Sequence, residues 1–484
     1  MKMLRKLGIS LLALLALAGI ASAQKWQPLN HPGSYSGVGA LALLTDGTVL
    51  LHEEQSNAQN WYKLTPDNTG SYVNGTVKQI ATLPVINGTQ YAPLYFGSVV
   101  LPDGRYIIEG GEYNNGTADW TTLGAIYDPA TNKWKSVNPP AGWSTIGDAQ
   151  SVILDNGTYM QANCCNTQQA YFNAKKLTWK NITNTGKSDR FDEEGWTLLP
   201  NGDVLTTDAI NAPHYEIYNP KTEKWTTPGT VPVRLEDPSS QEIGPMVLRP
   251  DGTVYATGAN GSGAGHTAIY NSTTGKWKKG PDFPSNLDCA DAPASLELNG
   301  NVIVMTSPGI FNTGAVFFEW NGTKLTKVVG PPNAPSDSSF YGHFLVLPTG
   351  QLLFADLSTD VEVFTPKGTY VDAWKPTITS VPSTITHGET YTVKGTQFNG
   401  YSQGAAYGDD FQDATNYPLV RITNNSSSHV FYAKTHNFST MGVQTGSTPV
   451  SAEFDVPDNI ETGASTLQVV TNGIPSDPSD VTVN

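Results

Sequence analysis

Acidic side chains recur at a fixed place in a repeated pattern of this chain. Seven short apolar segments each turn at a glycine, as in LALLTDGTVLL and SVVLPDGRYII. The residues nine positions before and six positions after each turn glycine should lie side by side, at the end of the hairpin opposite the turn. Six of these fourteen positions are carboxylates, although only 15% of the chain is charged, and they are Asp148, Glu193, Asp291, Glu53, Asp208 and Asp356.

A ring of carboxylates suits two kinds of chemistry. Carboxylate oxygens bind hard cations such as calcium, and they accept hydrogen bonds from the hydroxyl groups of a sugar or polyol. Close pairs can also share a proton for acid-base catalysis. The alternative is that strand ends beside a water-filled channel are merely solvated, and the residues alone leave this open. Further candidates at the same end of the hairpins are Tyr95, Tyr341, His343, Asp192, Glu194 and Glu242.

The spacing of the hairpins predicts the architecture that positions these residues. The turn glycines lie 45 to 57 residues apart, at Gly47, Gly104, Gly157, Gly202, Gly252, Gly300 and Gly350. An aromatic residue followed seven positions later by Trp forms a second unit, at Tyr127, Phe172, Tyr218 and Tyr270. A period near 50 residues with four short strands in each unit is typical of a kelch-type β-propeller. We place seven blades at 36–86, 91–141, 145–185, 189–232, 239–284, 288–333 and 337–375.

The last blade needs an outer strand, and two segments could supply it. Lys25-Trp26 repeats the Lys-Trp pair that marks the outer strand of other blades, so the N-terminus could complete the last sheet. Trp374 could complete the same sheet instead. The sequence does not decide between them.

A second domain follows the repeats. Residues 376–484 lack the turn unit but contain alternating segments such as ETYTVKGTQF and VSAEFDVP, which suggest an immunoglobulin-like β-sandwich. No long segment has helical periodicity. The predicted fold class is therefore all-β: a seven-bladed kelch-type propeller over 24–375, followed by an immunoglobulin-like sandwich over 376–484.

The N-terminus and the charge indicate where the protein acts. Residues 1–23 combine a basic start, a short apolar run and Ala21-Ser22-Ala23, which predicts a cleaved secretory signal and a secreted or periplasmic protein without a membrane span. Loss of the three basic residues of this signal changes the formal charge from -15 to -18. Such an acidic protein is not expected to bind nucleic acid, because phosphates require Lys and Arg.

The three cysteines cannot form a disulfide framework. Cys164 and Cys165 are neighbours, and Cys289 lies far away in the sequence. Since disulfide geometry is demanding, we favour unpaired thiols at 164 and 165 over a bond between them.

The propeller, the second domain and a few local segments resemble the galactose oxidase/glyoxal oxidase family of copper radical oxidases. Tyr95 stands nine residues before Gly104, at the place of that family's cross-linked tyrosine. GRYIIEGGEY puts Tyr113 where the family has a stacking tryptophan, and AKTHNFSTMG puts His436 where it has a copper-binding histidine of the C-terminal domain. The resemblance thus implies catalytic roles for Tyr95, Tyr341 and His436.

Other positions depart from the pattern of this family. Val38 stands where the cross-linking cysteine belongs, and Phe340-Tyr341 stands where the family has its axial Tyr-His pair. His343 supplies an imidazole only if the strand begins two residues later. Because copper(II) requires several nitrogen and oxygen donors, the resemblance supports the fold more than the oxidase chemistry.

Two functions follow from these residues. The first is an exported binding protein whose acidic propeller face takes a carbohydrate or another surface ligand through Tyr113, Asp148, Glu193, Glu242, Asp291 and His343, with calcium as a candidate ion. The alternative is an oxidoreductase of the copper radical type with an altered site, acting on a carbohydrate, alcohol or aldehyde. Whether the protein is an enzyme stays open at this point, as does the identity of any metal.

Overall fold

The computed structural model describes residues 24–182, 185–260, 263–408 and 413–484, and the predicted signal of residues 1–23 lies outside them. The regular structure is almost entirely β. In the described part, no helix is both long and apolar enough to cross a membrane. The helices described there are short 3-10 segments, namely Ala334–Ser336, Ser339–Tyr341 and Asp372–Trp374.

Six of the seven ranges marked out by the repeat each contain four strands of one antiparallel sheet, and the seventh contains three strands of a sheet that Lys25–Pro28 completes. Sheet 1 comprises Val38–Leu43, Val49–Glu53, Trp61–Thr65 and Thr76–Gln79. Sheet 2 comprises Gly97–Val100, Tyr106–Glu109, Gly124–Asp128 and Lys133–Val137, and sheet 3 comprises Ser151–Ile153, Tyr159–Ala162, Gln169–Asn173 and Thr178–Ile182. Sheet 4 comprises Thr197–Leu198, Val204–Thr207, His214–Asn219 and Lys224–Thr230.

Sheet 5 comprises Met246–Leu248, Thr253–Thr257, Thr267–Asn271 and Lys276–Lys279. Sheet 6 comprises Ala294–Leu296, Val302–Thr306, Val316–Trp320 and Leu325–Val328, and sheet 7 comprises His343–Val346, Leu352–Ala355, Glu362–Thr365 and Lys25–Pro28. Short ribbons lie beside sheets 1 and 2, at Val85–Ile86, Thr89–Gln90, Pro93–Leu94, Tyr113–Asn114 and Thr117–Ala118.

The first strand of sheet 7 packs against the first strand of sheet 1, so the last sheet meets the first. Main-chain hydrogen bonds join the two sheets, because Leu357 N donates to Val38 O at 2.9 Å and Val38 N donates to Ser358 O at 3.0 Å. Buried apolar residues fill the spaces between neighbouring sheets. The core is therefore shared between sheets and is not contained in any one of them.

The turn glycines adopt the conformation that the hairpins require. All seven have φ between 77° and 85°, in the left-handed region that glycine enters without a steric cost. In sheet 1, Val38 pairs directly with Glu53, nine residues before and six residues after Gly47. This pairing confirms that these two positions lie together at the end opposite the turn.

The aromatic-to-Trp units are cross-strand pairs in the outer hairpins. Tyr127 faces Trp134 with ring centroids 5.1 Å apart, and the same pairing joins Phe172 to Trp179. Several of these indoles also contact the preceding sheet. Trp134 Nε1 donates to Ala81 O and Trp179 Nε1 donates to Asn138 O, both at 2.9 Å. At these two positions the tryptophan therefore links its own sheet to the preceding one.

The N-terminal strand completes sheet 7, which confirms the first of the two alternatives. Lys25–Pro28 pairs antiparallel with Glu362–Thr365. Trp26 Nε1 donates to the oxygen of Val329, just beyond the last strand of sheet 6, at 2.8 Å, as Trp134 and Trp179 do at sheets 1 and 2. Its ring lies 4.6 Å from Phe364 and contacts other phenylalanines of sheets 6 and 7. Trp374 lies outside sheet 7, in the 3-10 helix Asp372–Trp374.

The C-terminal region has its own strands and its own apolar core. Its strand Val430–His436 pairs with two neighbours and so joins two groups of strands. The region packs on the turn end of the seven sheets, since Thr435 N donates to Thr45 O at 3.2 Å and Met441 N donates to Asp155 O at 2.8 Å. The strands are Thr377–Ser380, Thr384–Ile385, Thr390–Thr396, Leu419–Asn424, Val430–His436, Pro449–Asp455, Gly463–Thr471, Ile474–Pro475 and Ser479–Val483.

One segment of this region, which we call the insert (402–408 and 413–417), lies among the innermost strands. Its strand Ala405–Ala406 pairs with Ala294–Leu296 as a fifth strand of sheet 6. Gln403 Oε1 accepts a hydrogen bond from Leu198 N at 2.8 Å, and Tyr407 Oη donates to Phe340 O at 3.1 Å. The insert thus contacts sheets 4, 6 and 7 and extends from the turn end toward the opposite end.

The prediction of unpaired thiols at 164 and 165 was wrong. Cys164 and Cys165 form a disulfide with each other, whereas Cys289 is a buried free thiol. The two residues lie within a tight turn in which Asn166 N donates to Asn163 O at 3.1 Å. This turn brings the neighbouring sulfur atoms together, which sequence adjacency alone did not lead us to expect.

A buried lysine neutralises acidic groups at the start of sheet 4. Lys187 Nζ lies 3.0 Å from Glu194 Oε1 and 2.5 Å from Glu216 Oε2, and it also pairs with Asp189. These side chains are almost completely shielded from solvent. Burial raises the pKa of nearby Asp208 to about 7, while the charge of Lys187 opposes this effect. The Lys187 network therefore fixes the segment that leads into Glu193 and Glu194.

Replacement of Trp26 by alanine should weaken closure of the ring. The variant loses an indole side chain that packs against phenylalanines, and it also loses the hydrogen bond to the main-chain oxygen of Val329. We therefore expect the free energy of unfolding to fall by ~3 kcal/mol. Denaturant unfolding monitored by circular dichroism would measure this loss. The matched control is Trp374→Ala, which should cost clearly less; an equal or larger cost would contradict the assignment of Trp26 as the closing residue.

Replacement of Lys187 by methionine should destabilise the protein by ~3–5 kcal/mol, because it leaves several buried carboxylates without a counter-charge. The loss should be larger at alkaline than at acidic pH, since protonated carboxyl groups need no counter-charge. Thermal unfolding of the wild type and of the Lys187→Met variant, from acidic to alkaline pH, would measure this loss of stability. A pH-independent difference would indicate that Lys187 acts only through packing of its aliphatic stem.

Candidate functional site

A cavity of about 380 Å³ lies at the end of the sheets opposite the turn glycines. Most of its lining comes from the segments that lead into the innermost strands, which is where the repeat pattern placed the acidic positions. The insert adds one residue from the C-terminal region. The lining residues are Leu94, Tyr95, Glu112, Tyr113, Asp148, Glu193, Glu242, Asp291, Phe311, Phe340 and Tyr407.

Three carboxylates converge within the cavity. One oxygen each from Glu193, Glu242 and Asp291 lies within 4.8 Å of the others. They precede sheets 4, 5 and 6, so three successive sheets each contribute one carboxylate. Negative charges this close repel each other unless a proton, a cation or a hydrogen-bond donor lies among them. A ligand that enters the cavity therefore meets a wall that carries several carboxylates.

The main chain around the cavity adopts unusual conformations. Tyr95, Glu193 and Asp291 have φ of 53°, 54° and 42°, in the left-handed region that side chains with a Cβ rarely enter. All three stand nine residues before their turn glycine. Strain of this kind persists only where the surrounding structure imposes it, and it is concentrated at functional sites in proteins.

Aromatic rings form the remaining wall of the cavity. The rings of Tyr95 and Tyr113 meet edge to face with centroids 6.2 Å apart, and those of Phe311 and Phe340 do the same at 5.5 Å. The charge of Glu112 and burial raise the pKa of the Tyr113 phenol, so this hydroxyl stays protonated at neutral pH. The side chain of Phe311 is 58% exposed at the edge of the cavity.

Six of the nine residues selected from the sequence lie together on this lining. They are Tyr95, Tyr113, Asp148, Glu193, Glu242 and Asp291. Tyr341 and His343 lie next to the cavity but not on its lining. Tyr341 packs against Phe340 with centroids 4.4 Å apart, and His343 stacks behind Tyr407 at 5.0 Å. Burial lowers the pKa of His343 to about 4, so this imidazole is neutral at pH 7.

His436 lies elsewhere in the molecule. Its Nε2 is 3.0 Å from Asp455 Oδ1 on the neighbouring strand of the C-terminal region. The main chain of the next residue, Asn437, donates to Pro102 O, which belongs to the turn at Gly104. Tyr95 is at the other end of that same hairpin. The resemblance to copper radical oxidases required His436 to lie near Tyr95. In the structure His436 instead lies near the turn end, away from Tyr95.

The acidic ring divides into separate groups. Glu53 accepts hydrogen bonds from Ser36 Oγ at 2.6 Å and from Asn60 Nδ2 at 3.1 Å, so it is satisfied within sheet 1. Asp208 belongs to the Lys187 network. Asp356 directly follows the strand Leu352–Ala355 of sheet 7 and lies beside Asp337. Only Asp148, Glu193 and Asp291 of the original six line the cavity.

Sequence reasoning missed several lining residues. Phe340 directly precedes Tyr341, and Glu112 directly precedes Tyr113. Both missed residues are therefore sequence neighbours of residues that we had selected. Phe311 lies in a loop of sheet 6 whose sequence does not recur in the other repeats. Tyr407 comes from the insert, and no feature of the repeat could indicate that the C-terminal region would reach this end.

The donor set of the cavity does not fit copper. Among the described residues, the lining contains carboxylates and phenols but neither histidine nor cysteine. Copper(II) in proteins favours imidazole and other nitrogen donors in a tetragonal arrangement. Val38, at the place of a cross-linking cysteine, is buried within sheet 1. The cavity instead offers oxygen atoms, which suit hydroxyl groups and hard cations.

Comparison with known proteins supports the fold. No family model matches the chain. A stretch of 157 residues, 32% of this chain and 25% of the relative, is 25% identical to the Kelch-like protein terF of Aspergillus terreus. The match thus spans a quarter of that protein.

Two solved structures resemble most of the chain. A fungal alcohol oxidase of the AA5 family, solved in complex with copper, aligns with 96% of this chain and 100% of its own at 13% identity and a TM-score of 0.53. A catalytically inactive virginiamycin B lyase from Staphylococcus aureus, solved with quinupristin, aligns with 71% of this chain and 100% of its own at 12% identity and a TM-score of 0.50. At these identities the likeness concerns the fold alone. The chain therefore has a nearly all-β fold of the kelch and β-propeller kind.

Proposed function

We propose that this protein is an exported carbohydrate-binding protein and that the acidic aromatic cavity is its binding site. The seven sheets form the blades of a propeller over residues 24–375, and residues 376–484 form an immunoglobulin-like domain on its turn end. The domain leaves the opposite end open for a ligand. The observation that supports this function best is the combination of aromatic rings and carboxylates in one cavity.

A sugar offers two kinds of surface that match this lining. Its C–H faces are apolar and pack on aromatic rings such as Tyr113 and Phe340. Its hydroxyl groups donate hydrogen bonds, and bonds to a charged carboxylate are stronger than bonds between neutral groups. The volume of about 380 Å³ lies within the range of small-molecule sites. Among the described residues no Lys or Arg lines the cavity, so the site disfavours phosphorylated or otherwise anionic ligands.

A calcium ion among Glu193, Glu242 and Asp291 is a variant of the same function. Oxygen atoms this close supply part of a calcium coordination sphere, and ligand hydroxyls would complete it. Such an ion would neutralise the three carboxylates and join them to the sugar. Binding would then require calcium, whereas direct hydrogen bonding would not.

Oxidation of a primary alcohol or aldehyde is the second candidate function. Its support is the fold likeness to a fungal alcohol oxidase over 96% of this chain. The described lining offers only oxygen donors, and His436 lies near the turn end. Both observations argue against a copper oxidase. Metal analysis of the purified protein after equilibration with copper, calcium and zinc distinguishes the candidates. One retained copper per chain, with peroxide formation from alcohols, would favour the oxidase.

Substitutions in the cavity should weaken carbohydrate binding. Tyr113→Ala removes a stacking ring and Glu193→Gln removes a charged acceptor, and each change should weaken affinity about tenfold, equivalent to ~1.4 kcal/mol. Calorimetric titration with a panel of oligosaccharides and cell-wall polysaccharides, with calcium or with EDTA, would measure it.

The matched control for this experiment is His436→Ala. This residue lies at the turn end, so its loss should leave carbohydrate affinity unchanged. Absence of any binding by the wild-type protein at millimolar ligand would contradict the proposed function. Unchanged affinity in both cavity variants would instead move the binding site away from the cavity.

A further inference from the structure

Two exposed aromatic side chains lie at the end of the sheets where the cavity opens. Among the described phenylalanines and tryptophans, the exposed ones are Phe311 and Trp120. Each lies in the loop that joins the second strand of its sheet to the third, in sheets 6 and 2 respectively. The first two strands of a sheet meet at the turn glycine, so this loop is at the opposite end. Phe311 lines the cavity, whereas Trp120 is not part of the lining.

The main chain holds Trp120 between two segments of the cavity wall. Trp120 N donates to Glu112 O at 3.1 Å, and Glu112 lines the cavity. Ile146 N donates to Trp120 O at 3.4 Å, and it lies two residues before Asp148, which is another lining residue. Trp120 is therefore joined to the segments of sheets 2 and 3 that carry two of the cavity carboxylates.

The indole ring of Trp120 lies against the main chain at Gly147. A Cβ atom at Gly147 would be 2.5 Å from Trp120 Cδ1, so only a glycine leaves room for the ring in this place. The residue nevertheless stays 39% exposed. Trp120 also has a φ of 43°, in the left-handed region that Tyr95, Glu193 and Asp291 of the lining share. The ring is thus fixed at the surface, and a ligand that contacts it meets a preorganised aromatic group.

The structural role of the repeated tryptophans does not explain Trp120. Sheet 2 already has its outer-strand tryptophan, Trp134, whose Nε1 donates to Ala81 O at 2.9 Å. Trp120 precedes the third strand of that sheet and lies outside the aromatic-to-Trp unit. An exposed indole beside a cavity that already contains aromatic rings extends the aromatic surface beyond the cavity.

We propose that Trp120 forms an outer subsite of the carbohydrate site, so that the protein binds a chain of neutral sugar units. Tyr113 pairs with Ala118 in a short ribbon, and Trp120 follows Ala118 by two residues. One sugar unit would occupy the cavity beside Tyr113, and the next would pack its C–H face on the indole of Trp120. This inference rests on the proposed carbohydrate function and specifies oligosaccharides as the ligand class.

Affinities for sugars of increasing length test this inference. Calorimetric titrations would compare glucose with cellobiose and cellotriose, galactose with galactobiose, and N-acetylglucosamine with chitobiose and chitotriose. The wild type should bind an oligosaccharide about tenfold more tightly than its monosaccharide, because the second unit gains the contact with the indole. Trp120→Ala should remove this gain and leave the affinity for the monosaccharide unchanged.

Two control variants make the result specific. Trp120→Phe keeps an aromatic ring and should retain most of the gain, whereas Tyr113→Ala should weaken binding of monosaccharides and oligosaccharides alike. If Trp120→Ala does not fold, Trp120→Gln provides the same comparison.

The possible failures are distinguishable from each other. Equal affinity of the wild type for monosaccharides and oligosaccharides, or an undiminished gain in Trp120→Ala, would overturn the outer subsite and leave the proposed function in place. An equal loss of monosaccharide and oligosaccharide affinity in Trp120→Ala would also overturn it, since Trp120 would then act on the cavity itself. Absence of binding by every sugar of the series would overturn both the outer subsite and the proposed function.

Discussion

Sheets 2, 3 and 7 are each joined to the sheet before them by contacts of an outer-strand tryptophan. The indole N–H crosses to a carbonyl just beyond the preceding sheet, while the ring packs on the aromatic residue that faces it. Only the last link uses a strand from the other end of the chain, because Trp26 precedes all seven turn units. The cavity also depends on contacts between sheets, since sheets 4, 5 and 6 each contribute one of its converging carboxylates. Their distances are maintained only while neighbouring sheets stay in contact.

The acidic side chains of the inner hairpins have three different kinds of surroundings. Glu53 receives hydrogen bonds from neutral side chains, and the carboxylates around Lys187 share a single ammonium group. Glu193, Glu242 and Asp291 instead lie close together on the lining of the cavity. The structure thus places one set of acids in internal networks and another set where a ligand can reach it. This contrast is why an acidic composition alone does not identify the site.

The sequence predicts the in-sheet geometry well, because that geometry is local. Turn glycines and the seven-residue interval to Trp determine which residues face each other, and Val38 does pair with Glu53. The same register placed Asp148, Glu193 and Asp291 at one end. It could not show that Tyr407 would reach that end, since this depends on how the C-terminal region docks. It also could not separate cavity carboxylates from those that Lys187 or neighbouring amides satisfy. Nor could the sequence show that His436 lies near the turn end, because a short matching segment carries no information about which end of the hairpins it contacts.

The N-terminal strand has a consequence for how the chain folds. Lys25–Pro28 is synthesised before the seven turn units, yet its partner Glu362–Thr365 is made only after nearly the whole ring. Until then the strand is an unpaired edge with an exposed tryptophan, which is the kind of segment that associates with other chains. Contacts this distant in sequence also make folding slow. Correct assembly of the ring therefore requires that this strand pair with its own chain before it associates with another molecule.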